Sequence, residues 1–246
     1  MGIELTEEVV AKLETLCIRR GTYTLEPLSR IHKVIATRLT EAARDIPTFP
    51  LSIDVAADRL LAARSEFNRS QSARISVNDL LIRACALALA QQPGVNSSFT
   101  PFGIVRHQHA DIALAVATDA GLMTPIVFAA EAKGIAQIAA EARDLAERAR
   151  AFRLKADEYV GGTFTISNLG MFGITSFASI VNPPHAAILS VGAARPNVAL
   201  EGGEMRACTS VNVTLTCDHR VIDGVIGAKW LAALRRLLEQ PQELLK

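Results

Sequence analysis

Between Val211 and Leu238 the chain changes periodicity within a few residues, and that change restricts the fold more than any other stretch. Val211, Val213, Leu215 and Cys217 alternate with Asn212, Thr214 and Thr216, the period-two pattern of a half-buried strand. After it Val225, Ile226, Trp230, Leu231, Leu234, Leu237 and Leu238 recur at helical spacing, with Asp223 placed to cap the helix and Pro241 to close it. Between the two patterns stands Cys217-Asp218-His219-Arg220-Val221-Ile222-Asp223-Gly224. A histidine at such a strand-to-helix corner leaves the core and can meet a substrate.

The rest of the chain alternates helix and strand in the same way. Residues 1–21 read as a short helix through Val9, Val10, Leu13 and Leu16, ended by Gly21. A helix with Val34, Ile35, Leu39, Ala42 and Ala43 on one face follows, broken by Pro47 and Pro50. Leu51, Ile53 and Val55 alternate as a strand leading to a helix with Leu60, Leu61 and Arg64. Ser76-Val77-Asn78-Asp79 offers caps for an alanine-rich helix from Leu80 to Ala90, too apolar to lie on the surface. Asn96-Ser97-Ser98 reads as a turn. Ile112, Leu114 and Val116 alternate as a strand, Gly121 to Val127 leads into another, and a helix from Gly134 to Ala151 shows a charged outer face. Ala186 to Val191 reads as a buried strand after the rigid turn at Pro183-Pro184.

Half of the 246 residues are apolar, enough to bury one large core or two small ones. Lys plus Arg total 26 against 25 Asp plus Glu, so no net field favours nucleic acid or an acidic membrane. No apolar run has the length of a membrane span, and the first residues lack a signal-peptide core. Met1-Gly2 followed by Thr6 matches a myristoylation pattern that recurs by chance. The four cysteines show no Cys-x-x-Cys spacing, which fits a reducing compartment. His107 and His109 would share one side of a strand, but with no third ligand at suitable spacing they read as a surface pair, and no metal is expected. His32 and His185 carry no motif.

A second informative stretch runs from Gly161 to Gly173, a strand that emerges from a glycine pair and ends in a tight turn through Ser167-Asn168-Leu169-Gly170. Read alone, Ser167 satisfies backbone at a strand end and Asp223 is a helix cap.

The Asp-His-Arg-x-x-Asp-Gly run, the Thr165-Ile166-Ser167-Asn168-Leu169-Gly170 segment and the opening Glu26-Pro27-Leu28-Ser29-Arg30-Ile31 together resemble the dihydrolipoamide acyltransferases, the core subunits of 2-oxo-acid dehydrogenase complexes, and more distantly chloramphenicol acetyltransferase. The resemblance covers about 220 residues, from near Glu26 to the end. It implies an α/β fold, a mixed-sheet two-layer sandwich of the chloramphenicol acetyltransferase-like type, assembled as a homotrimer or larger. Residues 25–246 would be the acyltransferase catalytic domain and 1–24 a helical arm or linker remnant. By the resemblance His219 is the base that deprotonates a thiol and Ser167 the donor to the oxyanion. Asp223 holds the active-site loop through a salt bridge to an arginine, for which Arg64 matches best. His219 of one chain would face Ser167 of the next, with coenzyme A entering from one side and the lipoyl arm from the other.

The form of the Ser167–Gly173 segment points to the acetyl, pyruvate branch. The implied enzyme moves an acetyl group between dihydrolipoamide and coenzyme A, in a bacterial cytoplasm or an organelle matrix, beside decarboxylase and dihydrolipoamide dehydrogenase subunits. No lipoylation turn or subunit-binding segment is recognisable, so the lipoyl group would come in trans or from a missing domain. Lys246 stands where many relatives end in an apolar residue that plugs into the adjoining trimer, which argues against a cage unless Leu245 substitutes. Two other readings stand beside this one: a stand-alone coenzyme A-dependent acyltransferase acting on a small hydroxyl or amine acceptor, and an inactive scaffold, against which the retained His219 speaks. A Ser-His-Asp hydrolase would call for a Gly-x-Ser-x-Gly elbow, which is missing.

Overall fold

The computed structural model describes residues 6–118 and 121–246, the side chains of residues 30, 31 and 201 excepted, and the chain divides into two compact units, Met1–Arg38 and Leu39–Lys246. The Met1-Gly2 pattern lies outside the described residues. In the first unit, α1 (Glu7–Thr15) is capped by Thr6, whose hydroxyl accepts the Val9 N–H at 3.4 Å. The helix ends short of Gly21 because Cys17 takes a left-handed backbone (φ 61°). The helix α2 (Arg30–Asp45) begins in this unit and ends in the second.

In the second unit the order is β1 (Thr48–Ala56), α3 (Asp58–Ser70), α4 (Val77–Gln91), β2 (Ser97–Thr100), β3 (Gly103–Arg106), β4 (Ile112–Leu114), β5 (Val116–Thr118), β6 (Gly121–Met123) and β7 (Ile126–Val127). Then come α5 (Ile135–Arg150), β8 (Phe164–Asn168), β9 (Ala187–Val191), β10 (Arg195–Glu201), β11 (Glu204–Asp218) and α6 (Gly224–Glu239). Seven strands form one sheet in the order β1-β11-β9-β8-β4-β7, with β10 pairing on β11. β8 runs parallel to both β4 and β9, and every other pair is antiparallel, so the sheet is mixed as expected.

The alternation in each strand separates the two faces. Val55, Val213, Leu215, Leu189, Phe164 and Ile166 point into one core with Leu81 and Leu89 of α4, Ile138 and Leu145 of α5, and Trp230 and Leu234 of α6. Trp230 is fully buried with its ring 5.1 Å from that of Phe164. This helix layer on one sheet face is the two-layer arrangement. The opposite face is lined largely by hydroxyls, with a small apolar cluster of Ala42, Ile46, Val181 and Ile188 and, on β4 and β7, buried Ala113 and Ile126.

Several details depart from the sequence pattern. Pro50 does not end a segment but lies inside β1, which is tolerated because β1 is an edge strand and the missing N–H faces away from β11. Ser97 and Ser98, expected in a turn, open the hairpin β2–β3. The strand expected at Ile112–Val116 is two short ones, β4 and β5, which join different sheets.

Candidate active site

His219 is placed by the two elements that meet at its corner. β11 ends at Asp218, whose carbonyl accepts the N–H groups of Val221 (3.1 Å) and Ile222 (3.0 Å), and Asp223 caps α6 by accepting the Ile226 N–H at 2.8 Å. Burial of Val221 and Ile222 holds this turn against the core. Asp218 is 2% exposed, and a buried carboxylate must be paired. Arg220 supplies the pairing through Nη2 (2.7 Å), Nε (2.9 Å) and its own N–H (3.0 Å), a fork that Lys could not reproduce. That bond raises the guanidinium's already high pKa, and its plane lies 4.0 Å above the ring of Phe99. His219 itself is exposed. Its N–H bonds the Pro47 carbonyl at 2.9 Å, its ring lies 4.3 Å from that of Phe49, and neither ring nitrogen has a hydrogen bond among the described residues. The imidazole is held in place by backbone and ring contact while its nitrogens stay open.

Ser167 lies on the hydroxyl-lined face of β8. Strand register sets Ser52, Thr214, Ser190 and Ser167 in one row across four strands. Ser52 and Thr214 share a hydrogen bond at 2.8 Å, and Ser190 Oγ bonds the Ser179 hydroxyl (2.7 Å) and accepts the Ser179 N–H (3.1 Å). Ser167, half-buried at the end of the row, makes no side-chain hydrogen bond among the described residues, so its hydroxyl is available to an incoming oxygen. The chain then turns tightly. A Cβ on Gly170 would stand 2.7 Å from the Gly192 carbonyl oxygen, and one on Gly192 would overlap the Thr175 carbonyl, so both positions require glycine. Behind the turn lies a mostly apolar cavity of about 390 Å³, lined among others by Val55, Leu60, Leu81, Asn78, Asn168 and Gly170.

One chain does not bring these groups together. Thr214 is in register with Ser167, and His219 lies five residues further along β11 with two strand spacings between; at about 3.3 Å per residue and about 4.8 Å per strand, the two Cα atoms are roughly 19 Å apart. The ring stands at one end of the sheet and the hydroxyl on another strand, in register with the middle of β1. Arg64 does not meet Asp223 either. Its Nε donates to the Ile75 carbonyl at 3.1 Å, and α3 follows the end of β1 that pairs with Ser210, far from the corner. Asp223 is occupied as the α6 cap.

The remaining histidines have structural partners. His107 bonds Ser98 (2.8 Å) and burial lowers its pKa, whereas Glu131, 2.8 Å from His109, raises that of His109. His185 is buried between Thr165 (2.7 Å) and the Gly161 carbonyl (3.0 Å). Among the described residues no group of three or more His, Cys, Asp or Glu could hold a metal, and no helix is long and apolar enough to cross a membrane.

A family model described as the 2-oxoacid dehydrogenases acyltransferase (catalytic domain) matches residues 20–246. The chain belongs to this family. It is 42% identical over 248 residues to the dihydrolipoyllysine-residue acetyltransferase component of the pyruvate dehydrogenase complex from Rhizobium meliloti (strain 1021), covering 98% of this chain and 55% of that one. It is 45% identical to the mitochondrial component of Dictyostelium discoideum, over 92% of this chain and 36% of that one. The chain thus spans about half, or less, of the length of these curated relatives. Among solved structures, the dihydrolipoamide acetyltransferase of Azotobacter vinelandii, studied for the role of a serine, a histidine and an asparagine in its catalytic mechanism, superposes with a TM-score of 0.87 at 33% identity, covering 92% of this chain and 95% of that one. Chloramphenicol acetyltransferase shares the fold, with a TM-score of 0.54 at 16% identity over 85% of this chain and 94% of that one.

Family membership accords with the motifs on which the sequence was read. What those motifs did not disclose is the support around them. Asp218 and Arg220 are legible as part of the run, but their mutual clamp is not. Phe49 and Phe99 come from distant strands and have no local signal.

Proposed function

We propose that this chain is an acetyl-transferring catalytic domain, residues 25–246 with 1–24 as an arm, that moves an acetyl group between a dihydrolipoyl thiol and coenzyme A at sites formed between copies of itself. The observation that carries the reading is the separate placement of His219 and Ser167. Each is held open, and among the described residues neither the His219 ring nitrogens nor the Ser167 hydroxyl has a hydrogen-bond partner.

A thiol of ordinary pKa near 8.5 is only a few per cent ionised at neutral pH. His219 removes the proton as the sulfur attacks. Ser167 of a neighbouring copy donates its hydroxyl to the oxygen on which negative charge develops, and losing one such donor typically costs about 100- to 1,000-fold in rate. Returning the proton from His219 to the departing sulfur completes the exchange of one thioester for another. The spacing supports the assignment: the serine, histidine and asparagine studied in the Azotobacter vinelandii enzyme are 52 and 4 residues apart, as are Ser167, His219 and Asp223 here. Asp223 takes the third place as the cap that fixes the corner, and no role for Arg64 at this corner is included. A homotrimer is the smallest assembly proposed, and the 0.87 TM-score at 33% identity with the cubic core of a pyruvate dehydrogenase multienzyme complex supports placement in such a complex. The lipoyl domain, decarboxylase and dihydrolipoamide dehydrogenase are the partners that follow, in a bacterial cytoplasm or an organelle matrix.

The test is acetyl exchange between acetyl-coenzyme A and free dihydrolipoamide. His219→Ala is expected to abolish it with assembly intact, and Ser167→Ala to lower it about 100- to 1,000-fold. Mixing the two inactive variants during assembly restores about a quarter of wild-type activity, since random association leaves that share of junctions with both groups intact. Undiminished exchange by His219→Ala, or no recovery in the mixture, would refute the reading. A wild type that ignores dihydrolipoamide but acylates alcohols or amines would transfer the function to a stand-alone acyltransferase.

A further inference from the structure

We propose that Asn78, on α4, is a positioning residue that holds Ser167 where its hydroxyl meets the oxyanion; this rests on the role given to Ser167 above. The Gly170 N–H donates to Asn168 Oδ1 at 2.8 Å, which fixes the orientation of the Asn168 amide. Its Nδ2 is therefore the end that meets Asn78 at 2.7 Å, and the Asn78 atom in that contact is the accepting Oδ1. The bond joins the residue immediately after Ser167 to a helix 90 residues earlier in the chain.

Three features make this bond a strut. First, Asn78 is the second residue of α4, whose opening turn is locked by a capping box: the Asp79 N–H bonds Ser76 Oγ at 3.2 Å, and the Ser76 N–H bonds the Asp79 carboxylate at 2.6 Å. The next residues, Leu80, Leu81 and Ile82, are at most 2% exposed, so the base of the strut is rigid. Second, strand alternation turns Asn168 to the face opposite Ser167, so the strand is gripped from behind while the serine faces outward. Third, Asn78, Asn168 and Gly170 all border the 390 Å³ cavity. Side-chain packing does not fill the space behind the strand end, and the amide pair stands at its border.

A misplacement of about 1 Å in a catalytic group can lower the rate about 100-fold. We expect Asn78→Leu, of similar size but unable to accept a hydrogen bond, to lower kcat for acetyl exchange about 10- to 100-fold while KM for both thiols changes less than about twofold. Asn78→Asp retains the accepting oxygen, and its charge is favoured in the first turn of a helix, so it restores most of kcat. In a Ser167→Ala background, Asn78→Leu produces no further loss, because the group it serves is gone. If Asn78→Leu fails to assemble, Asn78→Ser, too short to reach Asn168, is read in the same way. Wild-type kcat in these variants, an Asp variant as slow as the Leu variant, or the same fold-loss with and without Ser167 overturns the proposal. Full activity in Ser167→Ala alone would overturn the role of Ser167 first and this inference with it.

Discussion

Residue by residue, the chemistry depends on which groups are kept from reacting. Cys217 lies two residues before His219 and would be the natural resting place for an acyl group if transfer ran through the protein. It is fully buried beside Gly227 and Leu51, and burial pushes its thiol up to about 12, where almost none is ionised at neutral pH. Burial raises Cys85 in the same way. In the proposed reaction neither of these two thiols carries the acyl group, which would pass directly between substrate sulfurs. Alkylation of the folded protein with iodoacetamide, read by peptide mass spectrometry, should leave Cys85 and Cys217 unlabelled until denaturant is added. Cys217→Ala should exchange acetyl groups at the wild-type rate; loss of exchange together with a trapped acyl-cysteine in the parent would refute direct transfer.

Among the elements, α4, α5, α6, β9 and the second half of β11 were legible because each satisfies one period over its whole length. The misses have physical causes. β10 and the first half of β11 pair beyond the main core, and Val198, Leu200 and Met205 stay exposed, so burial does not enforce a pattern there. A signal was nevertheless present: Gly202-Gly203, both at positive φ, between alternating apolar residues marks a two-residue hairpin turn. The pairing of Asn78 with Asn168 had no such signal, since α4 and β8 are far apart in sequence. His185 reads as structural in both descriptions, and its burial carries a consequence for pH. Burial holds its pKa below the ordinary 6.5, so the unfolded chain takes up a proton at a pH where the folded chain does not. Stability from this group is complete above about 6.5 and is lost as pH falls through that value, by at most about 1.4 kcal/mol per pH unit. His107, shifted the same way, adds to it. Urea midpoints should fall between pH 7.5 and 5.5, and His185→Gln should shrink that difference; an equal difference in the variant would assign it elsewhere. Glu158 acts in a lower window. Its hydrogen bond to Arg148 brings its pKa from 4.5 to about 2, so its contribution is present above 4.5 and lost as pH falls towards 2.

For the molecule as a whole, the proposed site would be a property of an assembly. The motifs named both His219 and Ser167, and the resemblance implied that they meet across chains; the strand register adds how far apart they stand in one sheet, because separation across strands leaves no mark on the linear order. Activity should therefore follow association. Serial dilution with sedimentation and exchange measured on the same samples should show turnover per chain falling as the oligomer dissociates, and a fully active monomer would contradict this.

A chain that offers two unlike groups to its copies would, under the proposed reading, also be a head-to-tail unit. β11 is 15 residues long, about 50 Å when extended, and it carries the corner at one tip and the hairpin at the other. Copies joined with His219 of one against Ser167 of the next would make a head-to-tail contact, which closes into a circle only if each step turns by the right fraction of a revolution, and otherwise runs on as a fibre. In such an assembly the angle between neighbouring copies, and not either reactive group, would decide between a closed ring and a fibre.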